Sequence, residues 1–326
     1  MKYKNCHASL LLFLLLCLTG CSDTDTDSGL PTIGFVDAFE DSTIEQAKIG
    51  FLDALKVAGY SEADNTMEFI YRNAQGDIPT LTQIVRYMIS QDVTLIATNP
   101  SLSTITAVQN TKDIPIFMMV APTPELMEVQ DADGNDPANL FGIAENLNYI
   151  DTSFSIIPRL VQPAGTTLRI GLLYNQSEPQ SVSAYNRLND LANRLGVQLV
   201  ARPVNTTADV QLVTGALLNE DVDAFFANPD NTVFGSFETI LKACNDQEVP
   251  IFTSEAGLVQ RGAVAAFGAD LYQWGYQAGE QAAQFLKSGS IEGMAWEMVQ
   301  LRKRVFNPAA AQKFGIQIPD NFEAIE

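Results

Sequence analysis

Short apolar runs alternate with longer amphipathic stretches along the chain from residue 31 onward. Two runs bounded by turn-forming residues, at 31–36 and 168–173, are typical of strands buried on both faces of a parallel sheet. Each run is followed by a polar loop and then by apolar residues at helical spacing, and Gly59 or Gly196 ends the helical stretch. The pattern therefore predicts a strand followed by a helix at two places 137 residues apart.

The two halves of the chain share further landmarks in the same order. The strand patterns at 93–100 and 222–229 both end in Asn-Pro, and a helix exit followed by a strand recurs at 111–117 and 246–252. Because this repeat is far longer than the period of a solenoid protein, we interpret it as the duplication of a β-α-β-α-β unit. The predicted fold class is α/β, with two doubly wound parallel-sheet lobes joined by a multi-strand hinge.

Later segments define the lobe boundaries. A long helix predicted from about Leu271 to Leu286 returns to the first lobe, and the tail beyond it returns to the second. We expect lobe 1 to contain residues 31–145 and about 271–296, lobe 2 to contain residues 146–270 and about 297–326, and hinge strands to lie near 143–147, 268–270 and 297–299. Ligands of parallel sheets bind beyond the carboxyl ends of the strands, so the loops that follow the strands should line a cleft between the lobes.

The amino terminus carries a targeting pattern. Two lysines precede an apolar stretch at 8–18 that is too short to span a membrane, and the stretch ends in Leu-Thr-Gly-Cys at Cys21. This ending resembles the bacterial lipoprotein signal, which implies removal of residues 1–20 and a diacylglyceryl group on the Cys21 thiol; an ordinary signal peptide is the alternative. Residues 21–30 then form a flexible tether. We expect an extracytoplasmic protein, on the periplasmic face or the cell surface, that contacts the membrane only through its lipid.

Charge and composition exclude several functions. The chain has 19 basic and 39 acidic residues, a net charge of −20, and without residues 1–20 it has 17 basic and 39 acidic residues, a net charge of −22. This excess argues against a nucleic-acid partner. The same cleavage removes the only histidine, which excludes histidine catalysis and imidazole-bound zinc, and we expect neither a cofactor nor a metal. Cys244 is interpreted as a buried apolar residue on a helix.

Five segments together resemble the tryptophan/tyrosine-binding type of ABC-transporter substrate-binding protein. The segments are Tyr71–Asp77, Leu173–Glu178, Asp230–Val233, Gln260–Ala263 and Leu271–Gly279. The resemblance extends from about residue 31 to residue 319. It implies a type I periplasmic-binding-protein fold that delivers a small solute, an aromatic amino acid in some members, to an ABC permease and its ATPase.

A zwitterionic ligand in a closed cleft needs an acidic group for its amine and several donors for its carboxylate, because both charges lose their hydration. The loops after the predicted strands contain both kinds of group. The candidate ligand-binding residues are Asn175, Glu178, Asp230, Asn231, Ser254 and Glu255 in the second lobe, and Glu40, Ser42, Ser101, Ser103 and Thr123 in the first lobe.

Each main candidate also has a structural interpretation. Asp230 is the favoured partner for the amine, and the alternative is that it caps the helix beginning near residue 232. Asn175 and Glu178 match the Tyr-Asn-x-x-Glu loop of the family, and the alternative is an ordinary capped turn. Ser101 and Ser103 would present hydroxyl groups and helix N-terminal amides to a carboxylate, or would only cap the helix.

Three further parts of the sequence need separate interpretation. Asp41 and Ser42 stand where the family commonly has His-Pro, so the first loop departs from the pattern of the resemblance. Glu255 ranks below Asp230 because a solvated loop carboxylate would explain it equally well. The aromatic side chains of the late helix, Tyr272, Trp274 and Tyr276, are expected to pack in a seam rather than stack on a ligand.

Two other functions use the same residues. A ligand-sensing subunit for a membrane receptor would have the same lobes, and a carboxylate-dependent hydrolase would oppose Glu40 or Asp41 to Asp230. The sequence has no nucleophile elbow and no phosphate-loop motif, which argues against an enzyme. We therefore predict a monomeric binding protein without enzymatic activity.

Overall fold

The structure is a computed structural model that describes residues 29–325. Its strands are β1 (Thr32–Asp37), β2 (Glu68–Asn73), β3 (Leu95–Asn99), β4 (Ile116–Pro122), β5 (Leu140–Glu145), β6 (Arg169–Asn175), β7 (Gln198–Val204), β8 (Ala224–Ala227), β9 (Ile251–Glu255), β10 (Ala265–Ala269), β11 (Glu297–Met298), β12 (Arg302–Phe306) and β13 (Glu323–Ala324). The signal peptide, Cys21 and most of the tether lie outside the described residues.

Helices follow most of the strands. They are α1 (Ser42–Val57), α2 (Ile78–Ser90), α3 (Ser101–Asn110), α4 (Asn148–Leu160), α5 (Pro179–Leu195), α6 (Thr207–Leu218), α7 (Asn231–Gly235), α8 (Phe237–Asp246), α9 (Ala256–Gln260), α10 (Leu271–Ser288) and α11 (Pro308–Lys313). Within residues 29–325, no helix combines the length and apolar character that a membrane crossing requires.

The strands form two sheets with the same internal order. The first sheet runs β11-β5-β4-β3-β1-β2, and all its pairs are parallel. The second runs β13-β12-β10-β9-β8-β6-β7, and it is parallel except where β12 pairs with β10. The order β5-β4-β3-β1-β2 in the first sheet is repeated as β10-β9-β8-β6-β7 in the second. The predicted α/β fold with two parallel-sheet lobes is therefore confirmed.

The long helix α10 packs against α1 of the first lobe through small residues. A Cβ atom on Gly275 would lie 1.8 Å from the carbonyl oxygen of Ala47, so only glycine permits this approach. The helix ends at Gly289, whose φ of 67° lies in the left-handed region that favours glycine.

Three connections join the two sheets, after β5, after β10 and after β11. The expected boundary at residue 296 differs from the structure in one respect. Glu297 and Met298 pair with Ile143 and Ala144 in the first sheet, so the tail crosses to the second lobe only after residue 298. The strand lies within the hinge strand predicted at 297–299, and only the sheet that it joins differs, because pairing between distant segments is not visible in a local pattern.

Candidate functional site

A cavity lies between the carboxyl ends of strands from both sheets. The first lobe and its hinge connection contribute Ser101, Val120, Ala121, Pro122, Glu145 and Leu147, the second lobe contributes Tyr149, Gln180, Pro229, Asp230, Asn231, Phe234 and Glu255, and α10 contributes Leu271 and Trp274. The cavity therefore occupies the place that the duplicated fold predicts for a ligand.

The wall of the cavity is mostly apolar, and its charged side chains are all acidic. Glu145, Asp230 and Glu255 line it, and no lysine or arginine of residues 29–325 does so. Such a lining favours a ligand that carries a positive charge together with apolar surface.

Glu255, at the end of β9, has one carboxylate oxygen without a partner. Its Oε1 accepts hydrogen bonds from the Tyr149 hydroxyl at 3.0 Å and from Ser254 Oγ at 3.2 Å, whereas Oε2 has no hydrogen-bond partner. The side chain is buried, and burial raises the pKa of Glu255 to about 7. A buried acceptor that the protein leaves unpaired is costly unless something else satisfies it.

Asp230, in contrast, has both of its oxygens occupied. Oδ1 accepts a hydrogen bond from the Val233 N–H at 2.9 Å, which makes Asp230 the N-cap of α7. Oδ2 accepts hydrogen bonds from the Asn175 N–H at 2.6 Å and from the Ser181 hydroxyl. Burial raises the pKa of Asp230. Asp230 lines the cavity, and it also has the helix-capping role that was its alternative interpretation.

Ser101 links the two lobes through a pair of side-chain amides. It is the first residue of α3, and its Oγ accepts hydrogen bonds from Gln180 Nε2 at 3.0 Å and from Asn231 Nδ2 at 3.2 Å. The Ser101 hydroxyl donates to no group among the described residues. Because Oγ already accepts two bonds, its proton remains available to an acceptor in the cavity.

Glu178 lies behind this bridge and does not line the cavity. Its Oε2 accepts from both Gln180 Nε2 and Asn231 Nδ2 at 2.7 Å, and its Oε1 accepts from Asn175 Nδ2 at 3.1 Å. Burial, and then the charge of Asp230, raises the pKa of Glu178 to about 8. Asn175 and Glu178 therefore support the residues that reach the cavity.

The other predicted site residues do not line the cavity. Ser103 donates to the carbonyl oxygen of Asn99 at 2.9 Å, Thr123 accepts from the Leu126 N–H at 3.4 Å, and Ser254 donates to Glu255. Glu40 and Ser42 are exposed.

Trp274 was expected in a seam, yet it lines the cavity. Its side chain is buried, and its indole N–H has no partner in the described chain. Tyr272 lies elsewhere, where it donates to Asp53 Oδ2 at 3.0 Å and stacks on Tyr276 with 6.2 Å between ring centroids. Spacing along a helix could not separate these three aromatic residues, because it does not show which face meets the cleft.

Sequence reasoning also missed Glu145, Tyr149, Gln180 and Phe234 as cavity residues. Glu145 is already paired, because Arg302 Nη2 lies 2.5 Å and Nε 2.9 Å from its Oε2. Burial nevertheless raises the pKa of Glu145 overall. A signal was available for Glu145 and Tyr149, because Glu145 lies within the predicted hinge strand at 143–147 and Tyr149 lies two residues after it.

Two parallel-sheet lobes around a shared cavity are the architecture of the type I periplasmic-binding-protein fold. A conserved domain protein from Vibrio cholerae shares this fold with a TM-score of 0.79 at 27% identity, over 90% of this chain and 99% of that one. The ABC domain from Streptococcus pneumoniae in complex with L-Trp has a TM-score of 0.80 at 21% identity, with the same coverage of 90% and 99%.

The chain belongs to the family of ABC transporter substrate-binding proteins, whose model matches residues 32–325. It is also 31% identical over 285 residues to a tyrosine-binding protein of Clostridioides difficile (strain R20291), covering 84% of this chain and 81% of that protein. The predicted resemblance is thereby confirmed. The family consists of substrate-binding proteins and not of enzymes, which removes the hydrolase alternative.

Proposed function

We propose that this protein captures an aromatic L-amino acid between its lobes and delivers it to an ABC permease. The observation that carries the proposal is the combination, in one interlobe cavity, of the unpaired Glu255 carboxylate oxygen with the aromatic walls of Tyr149, Phe234 and Trp274.

In this proposal, Glu255 binds the ammonium group of the ligand. Its Oε2 is a buried acceptor without a partner, whereas both oxygens of Asp230 and the carboxylate of Glu145 are already engaged. Gln180 Oε1 is a second unpartnered buried acceptor on a residue that lines the cavity. An ammonium group offers three donors and can satisfy acceptors of this kind.

The carboxylate of the ligand is assigned to the N-terminus of α3. No side chain caps this helix end, and the Ser101 hydroxyl is available as a donor. The partial positive charge of a helix N-terminus favours an anion. The site thus offers the two opposite charges of a zwitterion separate partners.

The side chain of the ligand is assigned to the apolar part of the wall. Aromatic side chains bury a large area against other rings, and the rings of Tyr149, Phe234 and Trp274 line this part of the cavity. The tyrosine-binding relative from C. difficile and the L-Trp complex from S. pneumoniae support an aromatic ligand.

The location outside the cytoplasm follows from the same proposal. Substrate-binding proteins meet their permease on the outer side of the membrane, and the sequence around Cys21 fits cleavage and lipidation there. We propose a monomeric lipoprotein that is tethered by residues 21–30. Mass spectrometry of the membrane fraction tests this part, since a Cys21→Ser variant should lose the lipid and leave the membrane.

Titration calorimetry tests the ligand. The protein is purified under denaturing conditions to remove any bound solute, refolded, and titrated with L-tyrosine, L-tryptophan, L-phenylalanine, L-leucine and L-aspartate. At least one aromatic amino acid should bind with a stoichiometry of one, and the des-amino analogue of tyrosine should not bind. Binding of L-leucine or L-aspartate in preference to every aromatic member would contradict the proposal.

A further inference from the structure

Away from the cavity, the two lobes also meet at the N-terminus of α1. We propose that Asp41 of the first lobe and Arg261 of the second are positioning residues that raise ligand affinity by stabilising the closed arrangement of the lobes. Neither residue lines the cavity. The inference rests on the proposed function only in its choice of ligand.

The contact between these residues is a direct ion pair. Arg261 Nη1 lies 2.6 Å from Asp41 Oδ2 and also donates to Thr43 Oγ1 at 2.9 Å. The side chains of Asp41 and Arg261 are only 2% and 14% exposed, so solvent screens the pair far less than it would screen a surface pair.

Each partner is held in place by its own lobe. Asp41 Oδ1 accepts from the N–H groups of Thr43 and Ile44 at 2.9 and 3.0 Å, which fixes the carboxylate as the N-cap of α1 and leaves Oδ2 for the arginine. Arg261 is bound by Glu238 through two hydrogen bonds of 2.8 Å, and its guanidinium carbon lies 5.1 Å from the ring centroid of Phe237. When the lobes separate, Arg261 therefore loses only its contacts to Asp41 and Thr43 and keeps those to Glu238 and Phe237.

Apolar packing accompanies the ion pair. Ile44 is fully buried and belongs to the hydrophobic cluster of the second lobe, together with Val233 and Leu258, although it lies on a helix of the first lobe. Thr43 packs tightly on α9, since a Cβ atom on Gly257 would lie 2.3 Å from Thr43 Cγ2. The N-terminus of α1 thus docks on the second lobe through both charge and shape.

A contact that forms only in the closed arrangement shifts the open–closed equilibrium without touching the ligand. Ligand affinity then rises by the same factor as the population of the binding-competent state. At positions 41 and 42 this chain has Asp-Ser where the resembled family commonly has His-Pro. This difference supplies the carboxylate that pairs with Arg261.

Three variants and a control test the inference. Asp41→Asn keeps the cap, because asparagine is an equally good N-cap, but removes the charge. Arg261→Gln removes the other partner, and the double variant completes a mutant cycle. Arg187→Gln is the control, since Arg187 pairs with Asp151 within the second lobe. Circular dichroism confirms that each variant is folded.

Two measurements follow on these proteins. Small-angle scattering of the ligand-free protein needs no ligand, and each test variant should have a larger radius of gyration than the wild type and the control. Titration with L-tyrosine should give affinities about tenfold weaker for both single variants and no further loss in the double variant, within the usual range of coupling between sites.

An unchanged radius of gyration in the ligand-free variants would overturn the inference, as would losses of affinity that simply add in the double variant. Failure of every aromatic amino acid to bind to the wild type would count against the proposed function alone, because the scattering comparison still decides the role of the ion pair.

Discussion

Replacing Glu255 by glutamine should have opposite effects on two quantities: it should lower ligand affinity and raise the stability of the ligand-free protein. The substitution preserves shape, so the amide oxygen can still accept from Tyr149 and Ser254, and the amide nitrogen takes the place of the unpartnered Oε2. The variant therefore loses the negative charge and presents a donor where the ammonium of the ligand needs an acceptor.

The expected loss of affinity follows from the burial of the site. Removing one partner of a buried, hydrogen-bonded charge pair costs about 2–4 kcal/mol, which corresponds to roughly 30- to 700-fold in Kd. The stability of the ligand-free protein should instead increase. Burial raises the pKa of Glu255 from its usual 4.5 to about 7, and this shift corresponds to roughly 3 kcal/mol at most.

The sign of that shift fixes the pH dependence. Because the folded protein binds the proton of Glu255 more tightly than the unfolded chain does, its contribution to stability is full below pH 4.5 and is lost as the pH rises through about 7. Glu255→Gln should therefore unfold several degrees higher than the wild type at pH 8 and differ little at pH 4. Ligand affinity of the wild type should fall roughly tenfold from pH 8 to pH 6, because protonation neutralises the acceptor.

The assays are titration calorimetry and thermal melts across this pH range, with Asp37→Asn as the matched control. Asp37 is equally buried, has an unpartnered Oδ1 and has its pKa raised to about 7, but it does not line the cavity. The control should gain stability at pH 8 and keep its affinity. A Glu255→Gln variant that binds with undiminished affinity and the same pH profile would refute the reasoning.

Further predictions concern other residues of the cavity and core. Ser101→Ala should weaken binding about tenfold in calorimetry, since it removes a donor to the ligand and one of the two acceptors of the buried Gln180 and Asn231 amides, which keep only Glu178. Ligand binding should alter the fluorescence of Trp274 but not that of Trp296, whose N–H donates to Asp136 outside the cavity, so Trp274→Phe should abolish the ligand-induced change. Cys244 is buried and its pKa is raised to about 12, so a thiol reagent should label it only after unfolding.

The duplicated architecture could be predicted because short segments of the sequence indicate its strands and helices. Strand β1 and strand β6 are apolar runs between turn formers, and β3 and β8 both lead into Asn-Pro. Such features depend on residues that are neighbours in sequence, so they can be recognised in a single sequence. The pairing of β11 with β5 depends on contacts between distant segments, and no local signal marks it.

The candidate site was only partly predictable for the same reason. Loops after the strands led to Ser101, Asp230, Asn231 and Glu255, all of which line the cavity. The ranking of Asp230 above Glu255 could not be tested in the sequence, because it depends on which oxygens the fold has already engaged. Hydrogen bonds from Asn175 and Ser181 occupy Asp230, and residues that far away in sequence leave no trace in the local pattern.

Native mass spectrometry of the protein purified from cells under mild conditions tests the central claim most directly. We predict that the intact protein carries one small molecule, which denaturation releases and which fragmentation identifies as an aromatic amino acid. The released compound should be absent from Glu255→Gln purified in the same way. A ligand without an amino group, such as a sugar, retained equally by both proteins would contradict the account.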